Sequence, residues 1–468
     1  MSLLVAALPL RAAELPELGE AARAGLTQAQ EAQLGREIMR QVRANRDYLD
    51  DPELTEYLND LGDRLAAVSP APYRQFSFFA VRDPTINAFA LPGGHIGVHT
   101  GLISAVRSES ELAAVLAHEI AHVTQNHVAR MLEAQKSASL ASLVALAIAI
   151  LAARTDSQVS QAAATVGSAL TVQQQLDYSR DFEREADRVG LNILTQAGFA
   201  PQAMVSFFER LQAQSRVLET HAPAYLRTHP LTYQRIADLQ NRVGELPYRQ
   251  YPDSLEFRLI QAKVWAGEGE PGQALARLES RLAQDARDAA SWYGLARAAL
   301  RAGNLVRAAE AVRRLDGLGV NSPMIDILAM DLAVAQGQAE QAIARGRQAL
   351  ARHSTSRPLV YAYARGLLLG GRAAEALRLV EEQLRTWPED ARLYALKARA
   401  HGELGQRFDA HLAQAEASYR QGELAPAIEQ LQLALSSGER DFHKLSIAEA
   451  RLRALRALQQ GESGPPRR

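Results

Sequence analysis

His118-Glu119-Ile120-Ala121-His122 places two imidazoles four residues apart, with a carboxylate beside the first. On a helix turning about 100° per residue, the two histidines differ by about 40° and one turn of rise, so both can reach one divalent ion. Glu119 lies next to that face. From there it can take a proton from a water whose pKa the ion has lowered and pass it to a leaving amine. With no Cys in the chain, thiolate ligands, disulfides and cysteine nucleophiles are excluded, and His and carboxylates must hold any metal. The alternative, two surface histidines on an amphipathic helix, requires that the rest of a metal site be absent.

A hydrolytic zinc takes three protein donors and keeps one position open. His127 is five residues past His122, about 140° further round a continuing helix, and reads as a surface or supporting residue. Tyr178 to Asp187 offers more. Glu183 and Asp187 are four apart and share a helix face, whereas Glu185 points elsewhere. Glu183 can ligate from a second helix, and Asp187 can accept the outer ring N–H of a ligating His. In isolation, Arg180, Arg184 and Arg188 favour a solvated charge run instead.

These residues need elements to carry them. Apolar residues at helical spacing predict a helix from about Thr27 to Val68, ended by Pro70-Ala71-Pro72. A strand over Phe76–Val81 and one or two hairpins over Ile86–His99, punctuated by Pro92-Gly93-Gly94, come next. Glu109 to Leu132 is a helix capped by Ser108 or Ser110, and a further helix runs from about Val172 to Leu194 before Gly198. The most apolar stretch, Leu140 to Ala153, is short for a membrane span and reads as a core helix or apolar lid that offers a peripheral membrane contact.

From Glu256 onward the pattern changes. Glycines at 269, 303, 337, 371 and 405 recur every 34 residues, each followed five positions later by Ala. That is the helix-turn-helix period of tetratricopeptide repeats, with a small residue where paired helices cross. Gly422 and Ala427 come only seventeen residues after Gly405 and Ala410, which predicts a shared or irregular helix there. Phe442 to Leu458 is a terminal helix. The chain divides into a leader with the look of a signal-peptide remnant over 1–19, a metalloprotease unit over 20–248, a repeat unit over 249–460 and a loose tail over 461–468. Lys and Arg total 52 against 53 acidic residues, so no global positive field exists to bind nucleic acid.

Taken together, Asn87-Ala88-Phe89-Ala90-Leu91-Pro92-Gly93-Gly94, His118-Glu119-x-x-His122, Glu183-x-x-Ala186-Asp187 and Thr228-His229-Pro230 with Arg235-Ile236 resemble the gluzincin peptidases. That family includes the CAAX prenyl endopeptidases and the HtpX-type proteases. With repeats appended, the chain is similar over residues 28 to 458 to its periplasmic branch acting in outer-membrane β-barrel assembly. The resemblance implies an α+β, predominantly α fold: a protease domain with a small β-sheet, then an all-α tetratricopeptide solenoid. It implies one Zn2+ per chain bound by His118, His122 and Glu183, with Glu119 as general base and acid and Asp187 in support. Residues Gly94 to His99, through Gly94, Ile96 and Val98, would be the strand edge that pairs with substrate backbone. His95 and His99 share one face of that strand and are expected to meet solvent.

His229 precedes Pro230 and sits in an extended or turn conformation. It either stabilises an oxyanion or fills the open metal position and silences the enzyme; Arg235 binds a carbonyl or braces the fold. The expected function is a zinc endopeptidase of the periplasm that cleaves misfolded or stalled outer-membrane β-barrel proteins and assists their assembly, the repeats binding clients and the assembly machinery on their concave face. The alternative is a chaperone or adaptor whose peptidase site is plugged.

Overall fold

The computed structural model describes residues 28–71, 74–127, 130, 180–217, 224–247 and 251–463. The leader, Leu140–Ala153, residues 172–179 and the last residues of the tail lie outside these.

The opening is two helices, not one. α1 (Gln28–Ala44) stops before Asn45, and α2 (Pro52–Ala66) starts where Asp51 accepts the Leu54 N–H and Pro52 takes the first helical turn. Apolar periodicity resumes across the break, which hides it from the sequence pattern. Between them β1 (Tyr48–Leu49) joins β2 (Ser77–Val81), β3 (Ala88–Leu91) and β4 (His95–His99) in a sheet ordered β1-β2-β4-β3. The β3–β4 turn uses Gly93 at φ 81° and Gly94 at φ 78°, a region that side chains rarely adopt.

This topology corrects the expected substrate edge. β4 is parallel to β2 on one side and antiparallel to β3 on the other, so Ile96 and Val98 have no free backbone edge. β3 is the outer strand. Because the His99 N–H donates to Asn87 O, alternation turns the N–H and C=O groups of Ala88 and Ala90 away from β4. Side-chain alternation reports which face is buried and says nothing of which strands flank it. The histidines differ from expectation too. His99 is buried against Thr85 and Asp83, and the His95 ring lies 2.5 Å from the Ser77 hydroxyl.

After α3 (Thr100–Ala105), Ser108 caps α4 (Glu109–Thr124) by accepting the Glu111 N–H. Leu112, Val115, Leu116 and Ile120 bury α4 in the main core, which accounts for its stability. The helix ends well before Leu132: Gln125 closes it, and Asn126 turns the chain at φ 54°, the one positive non-glycine φ among the described residues. α5 (Arg180–Gln196), α6 (Gln202–Val217), α7 (Ala224–Thr228) and α8 (Tyr233–Gly244) follow, α5 and α6 packing directly on α4.

The repeats begin with α9 (Leu255–Gly267), α10 (Pro271–Gln284), α11 (Ala289–Arg301), α12 (Leu305–Leu318) and α13 (Pro323–Ala335). α14 (Ala339–Arg352), α15 (Arg357–Leu369), α16 (Ala373–Thr386), α17 (Ala391–Glu403), α18 (Arg407–Arg420), α19 (Leu424–Leu435) and α20 (Phe442–Ser463) continue them. All five periodic glycines have positive φ between paired helices. Where the spacing shortens, α18 packs on α17 and α19 alike.

The repeat array is tied to the protease unit at several points along its length. Lys263 and Arg297, equivalent positions of α9 and α11, clasp Glu53 of α2; Lys263 also meets Asp51, and Arg297 reaches Asp331 of α13. Further on, Glu56 accepts from the Ser356 hydroxyl and the Arg357 N–H. Part of the repeat surface is therefore covered by the chain's own protease unit. At the other end of the junction, Glu109 at the start of α4 accepts from Ser254, which caps α9.

Candidate metal centre

α4 brings His118 and His122 to one point and α5 brings Glu183 to meet them. His118 Nε2 lies 3.0 Å from His122 Nε2 and 3.5 Å from Glu183 Oε2, and His122 Nε2 lies 3.4 Å from Glu183 Oε1. His229, just past α7, completes the group: its Nδ1 is 3.1 Å from Glu183 Oε1 and 3.4 Å from His118 Nε2. One donor atom from each of these four buried residues lies within 4.8 Å of the others. Three imidazole nitrogens and a carboxylate converge in one buried pocket, the borderline nitrogen and oxygen donors that a divalent metal takes once its ligands give up their protons, so the donor set fits a divalent metal.

The surroundings hold these donors in place. Asp187, one turn beyond Glu183, stands 3.2 Å from His118 Nδ1. Arg235 of α8 grips both Asp187 oxygens and reaches Glu183 Oε2 at 2.9 Å, while its Nη1 also donates to the Pro230 carbonyl. Arg235 thus braces the site and the loop behind His229. Close approach of the two helices needs a missing side chain, since a Cβ on Gly190 would come within 3.1 Å of the His118 backbone.

Electrostatics follow from this arrangement. Burial disfavours charge on His118, but Asp187 and Glu183 outweigh it and hold the ring up to about 9. Burial keeps His122 well below its ordinary value against the pull of Glu183. Burial would raise Glu183, yet the charge of His229 and hydrogen bonds from His118, His122 and His229 hold it well below the carboxylate range. Glu119 goes the other way. Burial raises it despite His229, His118 and the backbone N–H of Ala90, which points away from β4 toward this carboxylate. His229 Nε2 stands 3.5 Å from Glu119 Oε1.

His127 is not at the surface. It is fully buried, with Nδ1 2.8 Å from His122 Nδ1 and Nε2 3.2 Å from Glu185 Oε2. A 140° offset holds only on a helix that continues, and the turn at Asn126 folds His127 back against His122. Tyr225 is a residue that the motifs do not single out; its ring stacks on His229 at 4.6 Å. Its spacing of four before His229 is the only trace it leaves in the sequence.

The family model for peptidase family M48 matches residues 52–243, and the tetratricopeptide repeat model matches residues 266–328 and 333–400. The chain is 32% identical over 453 residues to the beta-barrel assembly-enhancing protease of Escherichia coli strain K12, covering 95% of this chain and 92% of that one. With the protein of that name from Yersinia pestis, identity is 31% over 449 residues, again 95% and 92% of the two chains. Over 191 residues it is 34% identical to the mitochondrial metalloendopeptidase OMA1 of Schizosaccharomyces pombe, covering 41% of this chain and 53% of that one.

Proposed function

The chain belongs to peptidase family M48, and we propose that it is a zinc endopeptidase of the periplasm that cleaves misfolded or stalled outer-membrane β-barrel proteins and rests in a self-inhibited state. In this reading His118 and His122, through Nε2, and Glu183 hold the ion. When bound, zinc supplies a Lewis acid that polarises a peptide carbonyl and makes a nearby water more acidic. Asp187 fixes His118 with its proton on Nδ1, leaving Nε2 as donor. Glu119 takes the proton of the attacking water and delivers it to the departing amine, a role suited to a dry carboxylate whose pKa burial has raised. Extended substrate lies along the outer edge of β3 and bonds to the backbone of Ala88 and Ala90, the role expected earlier of Gly94, Ile96 and Val98.

The observation that carries the reading is the convergence of buried donors from α4, α5 and the loop after α7. The same observation favours a plug over oxyanion assistance by His229, because its Nδ1 lies among the donors where the substrate carbonyl or water would enter. Cleavage then requires His229 to withdraw. A chain held in that state acts as a binding protein, which keeps a chaperone or adaptor role within the proposal. The assembly clients are supported by the names of relatives matched over nine-tenths of their length, and protein recruitment by the repeats.

Replacing Glu119 with Gln tests the chemistry. The variant should retain zinc and lose cleavage of an unfolded outer-membrane β-barrel protein; undiminished turnover would remove the peptidase assignment.

A further inference from the structure

Glu185 and His127 occupy places that the hydrolytic chemistry above does not use. The left-handed turn at Asn126, whose side chain accepts from Arg74, swings His127 back beneath His122. There the His127 ring stacks on Phe182 at 4.6 Å with its plane tilted only 11°, and its two nitrogens face different partners. Nε2 meets the Glu185 carboxylate at 3.2 Å, and Nδ1 meets Nδ1 of His122 at 2.8 Å. Arg130 donates to the same Glu185 oxygen, Oε2, at 2.8 Å and lies over the Phe182 ring.

A neutral imidazole carries one N–H and one lone pair. An ionised carboxylate only accepts, so Glu185 requires the proton of His127 on Nε2. The lone pair of His127 is then on Nδ1, facing His122 Nδ1, which must in turn carry the N–H. The His122 lone pair is left on Nε2, the atom that faces His118 and Glu183. The reverse order would set a ring lone pair against the Glu185 carboxylate and put a proton on the His122 nitrogen that meets the donor group.

We propose that His127 and Glu185 are positioning residues that fix the tautomer and ring orientation of His122 for metal binding. Helix α5 thereby sets both histidines of the motif: Asp187 acts directly on His118, and Glu185 acts through His127 on His122. The proposal rests on the reading of His118, His122 and Glu183 as ligands.

The test is zinc affinity, measured on the full chain by competition with a chromophoric chelator. His127→Phe keeps the stack on Phe182 and removes the acceptor; it should weaken zinc binding about 10–100-fold, the usual consequence of losing such a partner. His127→Gln restores an acceptor and should bind close to the parent. Parent-like affinity in His127→Phe, or equal weakening in both variants, would overturn the proposal. If His127→Phe fails to fold, Glu185→Ala decides, its site being partly exposed: weaker binding supports the relay and unchanged binding overturns it. A parent chain that takes up no zinc ends the ligand assignment itself, whereas a zinc-binding parent with indifferent variants ends only the relay.

Discussion

Arg235 holds Asp187 in a two-pronged ion pair, Nε to Oδ2 at 2.6 Å and Nη2 to Oδ1 at 2.7 Å, with both side chains buried. The third guanidinium nitrogen serves Glu183. One cation therefore balances two carboxylates inside the protein. Removing it takes the main partner from Asp187, while Glu183 keeps its histidines, and breaking a buried ion pair costs about 3–5 kcal/mol. Arg235→Ala should lower the denaturation midpoint of metal-free protein accordingly. Arg235→Lys should recover only part of the loss, since an ammonium cannot bridge both Asp187 oxygens and Glu183 in one plane.

Gly190 supports the same geometry through absence. A methyl group there would lie 3.1 Å from backbone atoms of His118 and cannot be relieved by a rotamer change. Gly190→Ala should push α5 from α4, cost about 1–3 kcal/mol as other overpacked sites do, and weaken zinc binding. Unchanged zinc affinity in a folded Gly190→Ala protein would show that the spacing of α4 and α5 is not what sets the centre.

His229→Ala empties the fourth donor position. Cleavage of an unfolded β-barrel client should rise several-fold at unchanged zinc content. A slower variant would mean that His229 assists the reaction, as its distance to Glu119 would then suggest.

The junction between the protease unit and the repeats should respond to pH at Glu56. Its carboxyl is pushed up to about 7, chiefly by burial, with Arg357, Ser356 and Asp60 as smaller influences. The folded chain holds this proton more tightly than the unfolded chain does. The stabilisation is thus full below the ordinary value of 4.5 and is lost as pH rises through about 7, by up to about 3 kcal/mol. Glu56→Gln keeps an acceptor for the Arg357 N–H and has no charge to bury. Urea midpoints near pH 5 and pH 8 should differ less for Glu56→Gln than for the parent, with the variant the more stable at the higher pH. Parallel pH profiles for the two proteins would refute this.

The parts of this architecture that were legible in the sequence are those that repeat or act locally. Periodic glycines at 269 to 405 predict the paired helices because each turn needs a left-handed residue at the same place. The four-residue spacings of His118 with His122 and of Glu183 with Asp187 carry their shared faces on any regular helix. What escapes is set by the ends of elements and by long-range pairing. The side chain of Asn126 and its partner Arg74 lie far apart in sequence, so the turn that buries His127 has no local signature. Strand order is likewise non-local, and β4 reads as an edge until β2 and β3 are seen on either side of it. The salt links of Glu53 to α9 and α11 show why the repeat surface could not be judged open from repeats alone.

The most direct test of the central claim is metal content, measured by mass spectrometry on protein purified without chelators. One zinc per chain is expected in the parent and in Glu119→Gln, with loss of the ion in Glu183→Ala. A parent free of stoichiometric metal, or a Glu183→Ala protein that keeps it undiminished, would contradict a centre built from His118, His122 and Glu183.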